Sequence, residues 1–182
     1  ARRFRGQHIG SWTMMFSMFP EIQIEIDGQY IRYPDIFRRV AKNKFFENQA
    51  FLDFYTITDG EKPEHIAQRL YNNPQYHWII MLANNIMDLY HDWPLSGHDL
   101  IETAKDKYGE NGLNQIHHYQ FVGEENICVD YDEALFNAGT IHAVTNYEHE
   151  LSINEGKREI VLLKPEHVME FTGQFKQLIQ KK

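Results

Sequence analysis

The chain has 182 residues, and 42% of them are hydrophobic, including 12 Phe and 10 Tyr. This composition supports a packed core and excludes a chain that is disordered throughout. The formal net charge of −8 argues against nucleic acid as a partner, because phosphate binding requires a clustered positive field.

The first 50 residues are predicted to form an N-terminal arm. The one basic cluster, Arg2–Arg5, is interpreted as a solvated chain end rather than a site for an anion or an acidic subunit. The apolar run at residues 11–19 is shorter than the ~18 or more residues of a membrane span. It also lacks an Ala-x-Ala cleavage site, so we expect neither a membrane span nor a secretion signal.

Two further elements are predicted within the arm. Residues 22–26 alternate between apolar and polar side chains and precede Asp27-Gly28, which is typical of a β-hairpin whose second strand covers residues 29–33. Pro34-Asp35 is expected to begin a helix. Its apolar face would contain Ile36, Phe37, Val40 and Ala41.

Residues 51–108 are predicted to form a small βαα(β) module and a following helix. A strand is expected at residues 48–57. Pro63 and Pro74 each suit the first position of a helix, where the missing N–H group costs nothing, and Asn73 is the expected N-cap of the second helix. Asn84-Asn85 supplies a left-handed end to that helix. Ser96 is the expected N-cap of a third helix that ends at Tyr108.

Residues 109–182 are predicted to form a C-terminal region of β-structure and a terminal helix. Strands are expected at residues 115–122 and 126–131, and a loop at 132–145. A hairpin is expected from strands at 147–153 and 157–163, joined by Asn154-Glu155-Gly156. The last helix begins at Pro165, and its apolar stripe packs either on its own chain or in a groove of another subunit. The stripe contains Val168, Phe171, Phe175 and Leu178.

The sequence predicts no metal site, no cofactor and no disulfide. Its single cysteine, Cys128, is expected to be a small buried hydrophobe on a strand. Ten histidines are present, but His117 and His118 are adjacent in a predicted strand, so their side chains should point to opposite faces. Asp88, His91 and Asp92 are interpreted as a polar loop rather than a ligand set.

No catalytic residue is predicted either. The chain has no G-x-S-x-G, Walker A or G-x-G-x-x-G motif. Glu61 and Glu64 could form the acid–base pair of a cell-wall hydrolase, but stabilisation of a helix N-terminus by negative charge explains them more simply.

Aromatic side chains are crowded into and around the central module. Core packing is the first interpretation for each of them, whereas an exposed aromatic would serve as an interface anchor or stack on a sugar. Trp93, beside Pro94 in a turn, is expected to be partly exposed. The interface candidates are Tyr55, Trp78, Tyr90, Trp93, Phe171 and Phe175.

The segment from Tyr55 to Leu95 resembles a LysM module in its strand and turn at residues 55–61, in Ile66-Ala67, and in a second helix that ends near Asn84. The run from Tyr71 to Trp78 departs from a free-standing glycan binder. With Pro34–Phe37 before it and Tyr90 and Trp93 after it, this run resembles the LysM-like baseplate wedge subunit family of T-even-type contractile-tailed bacteriophages. The resemblance covers roughly residues 14–108, and Met14–Pro20 resembles the family's N-terminus, so residues 1–13 are expected to be an upstream extension.

This resemblance implies an α+β fold with a small central LysM-like module. It implies a non-enzymatic structural subunit that joins neighbouring wedge proteins by protein–protein contacts during baseplate assembly. Its partners would be other tail baseplate proteins, in a hetero-oligomeric assembly with multiple copies of this chain. The expected location is the tail baseplate of the virion, assembled in the host cytoplasm, with neither nucleic acid nor membrane as a partner.

A glycan-binding LysM module that retains affinity for peptidoglycan is the alternative. A single module, long flanking regions and the lack of a secretion signal argue against it. Its binding residues would be Asp59, Gly60, Glu61, Asn84 and Asn85.

Overall fold

A computed structural model describes residues 13–37, 44–123 and 127–181, which form an α+β fold. The strands are β1 (Glu21–Ile26), β2 (Gln29–Pro34), β3 (Leu52–Thr56), β4 (Ile116–Phe121), β5 (Cys128–Val129), β6 (Ile141–Thr145) and β7 (Glu159–Leu163). The helices are α1 (Thr13–Phe16), α2 (Pro63–Tyr71), α3 (His77–Ala83), α4 (Leu89–Asp92), α5 (Gly97–Tyr108), α6 (Glu133–Asn137), α7 (Asn146–Gly156) and α8 (Val168–Gln180). Short 3-10 helices cover Lys44–Glu47, Gln49–Phe51, Pro74–Tyr76 and Pro165–His167.

Two compact units share the chain, and both are discontinuous in sequence. Unit 1 draws on residues up to Phe54, on Lys62–Met87 and on the stretch from Val161. Unit 2 consists of Tyr55–Glu61 and Asp88–Ile160. This division differs from the three consecutive segments that we expected at residues 1–50, 51–108 and 109–182.

The predicted N-terminal hairpin is confirmed in unit 1. β1 and β2 pair antiparallel, with Ile24 opposite Ile31. Asp27 and Gly28 both have positive φ angles, 51° and 74°, as the two-residue I′ turn requires. The helix expected after Pro34 is not seen at residues 35–37, which form a turn, and the rest of that prediction lies outside the described residues.

The core of unit 1 is an aromatic cluster around α8. The Phe171 ring lies 4.8 Å from Phe46 and 5.8 Å from Trp78, measured between ring centroids. The apolar stripe of α8 therefore packs on its own chain, the first of the two predicted arrangements. Ile179 rather than Leu178 completes the stripe, because positions 168, 171, 175 and 179 keep the 3.6-residue period.

Helix α2 of unit 1 begins at Pro63 as predicted, whereas the expected second helix opens with a 3-10 turn at Pro74–Tyr76 and continues as α3 from His77. Asn73 caps the turn that leads into α3, accepting a hydrogen bond from Gln75 N at 2.9 Å. Asn85 has a left-handed φ of 55°. Asn84 does more than end the helix, because its side-chain amide donates to and accepts from the backbone of Val161, each at 2.8 Å.

The strand that pairs with β3 is β7, which comes from far along the chain. In unit 1, Lys164 N donates to Phe51 O, and in unit 2, Ile57 N donates to Arg158 O, both at 2.9 Å. From residue 51 to residue 57 the residue numbers rise, while those of the bonded partners fall from 164 to 158, so the two strands are antiparallel. The module therefore consists of β3, α2, α3 and β7. In the sequence, its last strand, β7, is separated from α3 by helices α4 to α7 and strands β4 to β6.

Unit 2 contains a three-stranded antiparallel sheet in the order β5–β4–β6, together with α5 and α7. Ser96 caps α5 as predicted, and its hydroxyl accepts from Asp99 N. Two buried asparagines connect loops to α7. The Asn154 amide binds both Leu95 N (2.7 Å) and Leu95 O (3.0 Å), and Asn146 donates to Gly112 O at 2.7 Å.

Three predictions for the C-terminal region are wrong. The expected loop at 132–145 contains α6 and β6, and the expected strand at 147–153 is helix α7. Thr145 and Glu148 form a capping box, in which each side chain accepts from the backbone N–H of the other residue, and this box begins α7. Cys128 lies on a strand but is exposed, because among the described residues its short edge strand pairs with β4 alone.

Candidate functional site

The N-terminal hairpin of unit 1 presents a partly exposed apolar face. Directly opposite residues of an antiparallel pair share one face, so Ile22 faces the same way as Tyr33, and Ile24 the same way as Ile31. Ile26 extends this face at the turn. Ile24 is 42% exposed and Tyr33 is 43% exposed, so the described part of the chain covers this face only in part.

The other face of the hairpin is polar. Gln23 lies opposite Arg32, and Glu25 lies opposite Tyr30. Arg32 Nη1 lies 3.7 Å from the Glu21 carboxylate, and both side chains are largely exposed, so this ion pair contributes little to stability. The hairpin is thus amphipathic, and side chains on both its apolar and its polar face are exposed to solvent.

This arrangement is unfavourable for a chain in isolation. The sheet has only two strands, so the outer edges of β1 and β2 have no strand partner among the described residues. An isolated two-stranded hairpin is marginally stable in water, and open strand edges invite pairing with another chain. An amphipathic hairpin with open edges is therefore suited to being covered by another protein.

A second apolar feature of unit 1 is a groove of about 220 Å³ beside α3. The buried Trp78 indole lines it, and the Trp78 Nε1–H has no hydrogen-bond acceptor among the described residues. The other lining residues are Met15, Phe16, Gln75, His77, Met81, Leu82 and Ile86.

Unit 2 also exposes aromatic rings. Tyr119, Tyr131 and Phe136 form a mutual cluster, with centroid distances of 5.1, 5.8 and 6.1 Å. Tyr131 is 55% exposed and Phe136 is 42% exposed. Sequence reasoning missed this patch, because Phe136 lies in the stretch predicted to be a loop, while Tyr119 and Tyr131 lie in two separate predicted strands.

The structure separates the six predicted interface residues into two groups. Tyr90 is 84% exposed, and Tyr55 is half-buried. The other four are buried and serve as core residues, because α8 packs against its own unit and the Trp93 indole turns inward. These four are Trp78, Trp93, Phe171 and Phe175.

Glu61 organises the turn after β3. Its buried carboxylate accepts hydrogen bonds from Tyr55 OH (2.7 Å), Thr58 N (3.2 Å) and Thr58 Oγ1 (3.1 Å). Its backbone carbonyl accepts from Trp93 Nε1 at 2.8 Å. The simpler explanation offered for Glu61, a charge near a helix N-terminus, therefore describes this buried carboxylate incompletely.

The residues predicted for the glycan-binding alternative have structural roles within the chain, except for Asn85, which is exposed. In unit 2, Asp59 accepts from Gly97 N and from Arg158 Nη2, each at 3.1 Å. Gly60 supplies the positive φ of the turn, 70°. In unit 1, the Asn84 amide is bound to the β7 backbone, and Asn85 is exposed.

Asp88, in the polar loop before α4, is the N-cap of that helix. Asp88 accepts from Tyr90 N at 2.8 Å, and its other carboxylate oxygen lies 2.6 Å from His91 Nδ1. This contact with the His91 ring, followed by the bond from Tyr90 N, lowers the pKa of the Asp88 carboxyl. Asp92 accepts from Asp88 N at 3.0 Å, so both carboxylates serve one turn of helix.

His117 and His118 do not point to opposite faces, so the reasoning from strand alternation is wrong here. Their Nδ1 atoms lie 2.9 Å apart. The register of β4 against β6 shifts between Ile116 and His118, and an irregularity of this kind turns adjacent side chains to the same side.

Each helix in the described part of the chain is too short or too polar to cross a lipid bilayer.

Comparison with known proteins gives two matches. The model of a family described as base plate wedge protein 53 matches residues 14–127. The chain is also similar to the baseplate wedge protein gp53 of Enterobacteria phage T4, with 25% identity over 193 aligned positions, which cover 92% of this chain and 97% of that protein.

Proposed function

The chain belongs to the base plate wedge protein 53 family, and from this we propose that it joins neighbouring wedge proteins of a phage tail baseplate through protein–protein contacts. Its similarity to a T4 wedge protein along almost the whole chain supports a structural role in the baseplate of the virion. We further propose that the chain is a non-enzymatic subunit, that it is present in several copies, and that it is assembled into the baseplate in the host cytoplasm.

The N-terminal hairpin carries this proposal. Its apolar face, defined by Ile22, Ile24, Ile26, Ile31 and Tyr33, is continuous along both strands, and all of these side chains except the half-buried Ile22 are exposed. Fully burying a side chain of this size stabilises by roughly 1.5–3 kcal/mol, so covering five half-exposed side chains offers several kcal/mol to a complex. A wedge neighbour with a complementary apolar surface is the occupant that we propose.

The central module is proposed to be a LysM-like scaffold used for protein contacts rather than for sugar. The pairing of β3 with β7 supports it, since two short helices, α2 and α3, follow the first of these antiparallel strands, although further elements separate α3 from β7 in the sequence. The engagement of Asp59, Glu61 and Asn84 in internal hydrogen bonds supports the protein-binding use. Tyr90, with its ring largely in solvent, is the second proposed contact residue.

A matched pair of substitutions tests the hairpin. Ile24→Glu places a charge in the apolar face, whereas Gln23→Glu places the same charge one residue away on the polar face. We expect Ile24→Glu to weaken assembly by about 10-fold or more, since losing an interface anchor typically costs over 1–2 kcal/mol. Gln23→Glu should stay within about 2-fold of wild type.

The measurement is co-expression of the full chain with the other wedge proteins of the same phage. Native mass spectrometry of the purified complexes gives the fraction of chain incorporated, and circular dichroism of each variant alone verifies its fold. Equal incorporation of the two variants would remove the hairpin from the interface. A wild-type chain that stays monomeric with all wedge proteins present would overturn the proposed function itself.

A further inference from the structure

Three imidazole rings converge on one side of unit 2. His117 and His118 come from β4, and His149 comes from α7. Each ring offers one nitrogen, and these three atoms all lie within 4.8 Å of one another. The His149 ring is stacked on His117, with centroids 3.9 Å apart and planes 12° from parallel.

Two local features bring the rings together. The register irregularity in β4 places His117 and His118 on the same side of the strand, as described above. The capping box at Thr145 begins α7 immediately after β6, the strand that pairs with β4. His149 therefore lies in the first turns of a helix that follows the neighbouring strand.

A chain of polar contacts orients His118. Gln120 Nε2 lies 3.2 Å from His142 Nε2, and Gln120 Oε1 lies 3.4 Å from His118 Nε2. An amide oxygen can only accept, so a hydrogen bond at this contact requires the proton on His118 Nε2 and leaves the Nδ1 lone pair facing His117. Fixing the tautomer of a ligating histidine by a hydrogen bond at its other nitrogen is the usual outer-shell arrangement at metal sites.

We propose that His117, His118 and His149 bind one divalent first-row transition metal ion of the Zn²⁺ class through their imidazole nitrogens. Metal–nitrogen bonds of about 2.0–2.1 Å place ligand nitrogens roughly 2.9–3.4 Å apart, and the His117–His118 pair already meets this distance. His149 closes the remaining gap by turning its ring out of the stack. Three protein ligands leave the other coordination positions open to water.

The donor set selects this class of ion. Hard cations such as Mg²⁺ and Ca²⁺ take oxygen ligands, whereas imidazole nitrogens suit zinc, copper, nickel and iron. The nearby Glu150 carboxylate is engaged with Lys107 Nζ (2.6 Å) and Tyr108 OH (2.8 Å), so it does not compete for the ion.

An ion from solvent has access to the rings. A pocket of about 560 Å³ adjoins the cluster and is lined on one side by His117 and His118 and on the other by Cys128 and Asp130. His117 itself is exposed.

The test uses the full chain without a histidine tag, stripped of metal with EDTA. Isothermal titration with ZnCl₂ at neutral pH should give one equivalent bound with a Kd of about 10 µM or tighter. Titration with CoCl₂ should give ligand-field absorption bands that saturate at one equivalent. We expect His118→Ala and His149→Ala each to weaken binding by about 100-fold or more, since outer-shell changes alone cost 10–100-fold.

His98→Ala is the matched control, because His98 is an exposed histidine of the same unit outside the cluster. It should bind Zn²⁺ as the wild type does. Binding that survives in both cluster variants would overturn the proposal. The wild-type Co²⁺ spectrum tests it without any variant, since the absence of ligand-field bands at one equivalent would also overturn it.

Discussion

At the scale of single residues, two buried tryptophans differ in one hydrogen bond. The Trp93 Nε1–H donates to Glu61 O at 2.8 Å, whereas the Trp78 Nε1–H has no acceptor among the described residues. Both indoles are about 5% exposed, so their burial is comparable. The comparison isolates the energetic value of satisfying one buried donor.

We expect Trp93→Phe to lower the free energy of unfolding by about 2 kcal/mol more than Trp78→Phe does. The first change leaves the Glu61 carbonyl without its donor, while the second removes a donor that was already unsatisfied. Urea unfolding followed by circular dichroism measures both, each against wild type. Equal losses would mean that ring volume, rather than the hydrogen bond, determines the cost.

At the scale of elements, the capping box of α7 predicts a dependence on pH. Thr145 N and Thr145 Oγ1 donate to the Glu148 carboxylate at 2.8 and 2.9 Å. The backbone bond, followed by the hydroxyl bond, lowers the pKa of Glu148 below its ordinary value. A lowered folded-state pKa contributes stability above the unfolded value, about 4.3 for glutamate, and this contribution is lost as the pH falls through the folded pKa.

Glu148→Gln keeps an acceptor in the cap but cannot titrate. The wild type should therefore be more stable than this variant at neutral pH, and the difference should shrink as the pH falls below about 4. Unfolding midpoints across this pH range measure the effect, with Glu110→Gln on an exposed loop as the control. A difference that stays constant with pH would contradict the assigned cause.

Local signals in the sequence predicted the elements that depend on local chemistry. The Asp27-Gly28 turn, Pro63 at the start of α2, Pro74 before α3, and Ser96 before α5 each act within a few residues of their element. Helix α7 was missed because its buried positions include two asparagines, which conceal its apolar period. The Thr145 and Glu148 spacing was the available signal for it.

Other features could not be predicted because they depend on distant partners. The pairing of β3 with β7 is determined by packing between segments that are remote in the sequence, and no motif near residue 55 predicts it. The turn of His117 toward His118 depends on how β4 pairs with β6. Phe171 and Phe175 were predicted to share one helical stripe, but only the folded unit shows that Trp78, far away in the sequence, packs on both of them.

At the scale of the whole molecule, order in the hairpin is expected to depend on assembly. Backbone amides of residues 21–34 should exchange with deuterium rapidly in the isolated chain, because a two-stranded hairpin without cover opens easily. In the assembled wedge they should be protected by about 10-fold or more if another protein covers them. Amides of α8 provide the internal reference, and equal exchange of the hairpin in both states would contradict the proposed contact.

The pairing of the first module strand with the last strand has a consequence for biosynthesis. Lys164 Nζ reaches Ala50 O across 114 positions, and Gln180 Nε2 reaches Met18 O across 162. Contacts this remote must wait for loop closure and generally slow folding. The aromatic core of unit 1 also needs Phe171, Phe175 and Ile179, which are synthesised long after their core partners Met18 and Phe46. Unit 1 therefore completes its folding only after α8 has been synthesised, and a premature stop shortly before α8 would yield a chain without this core.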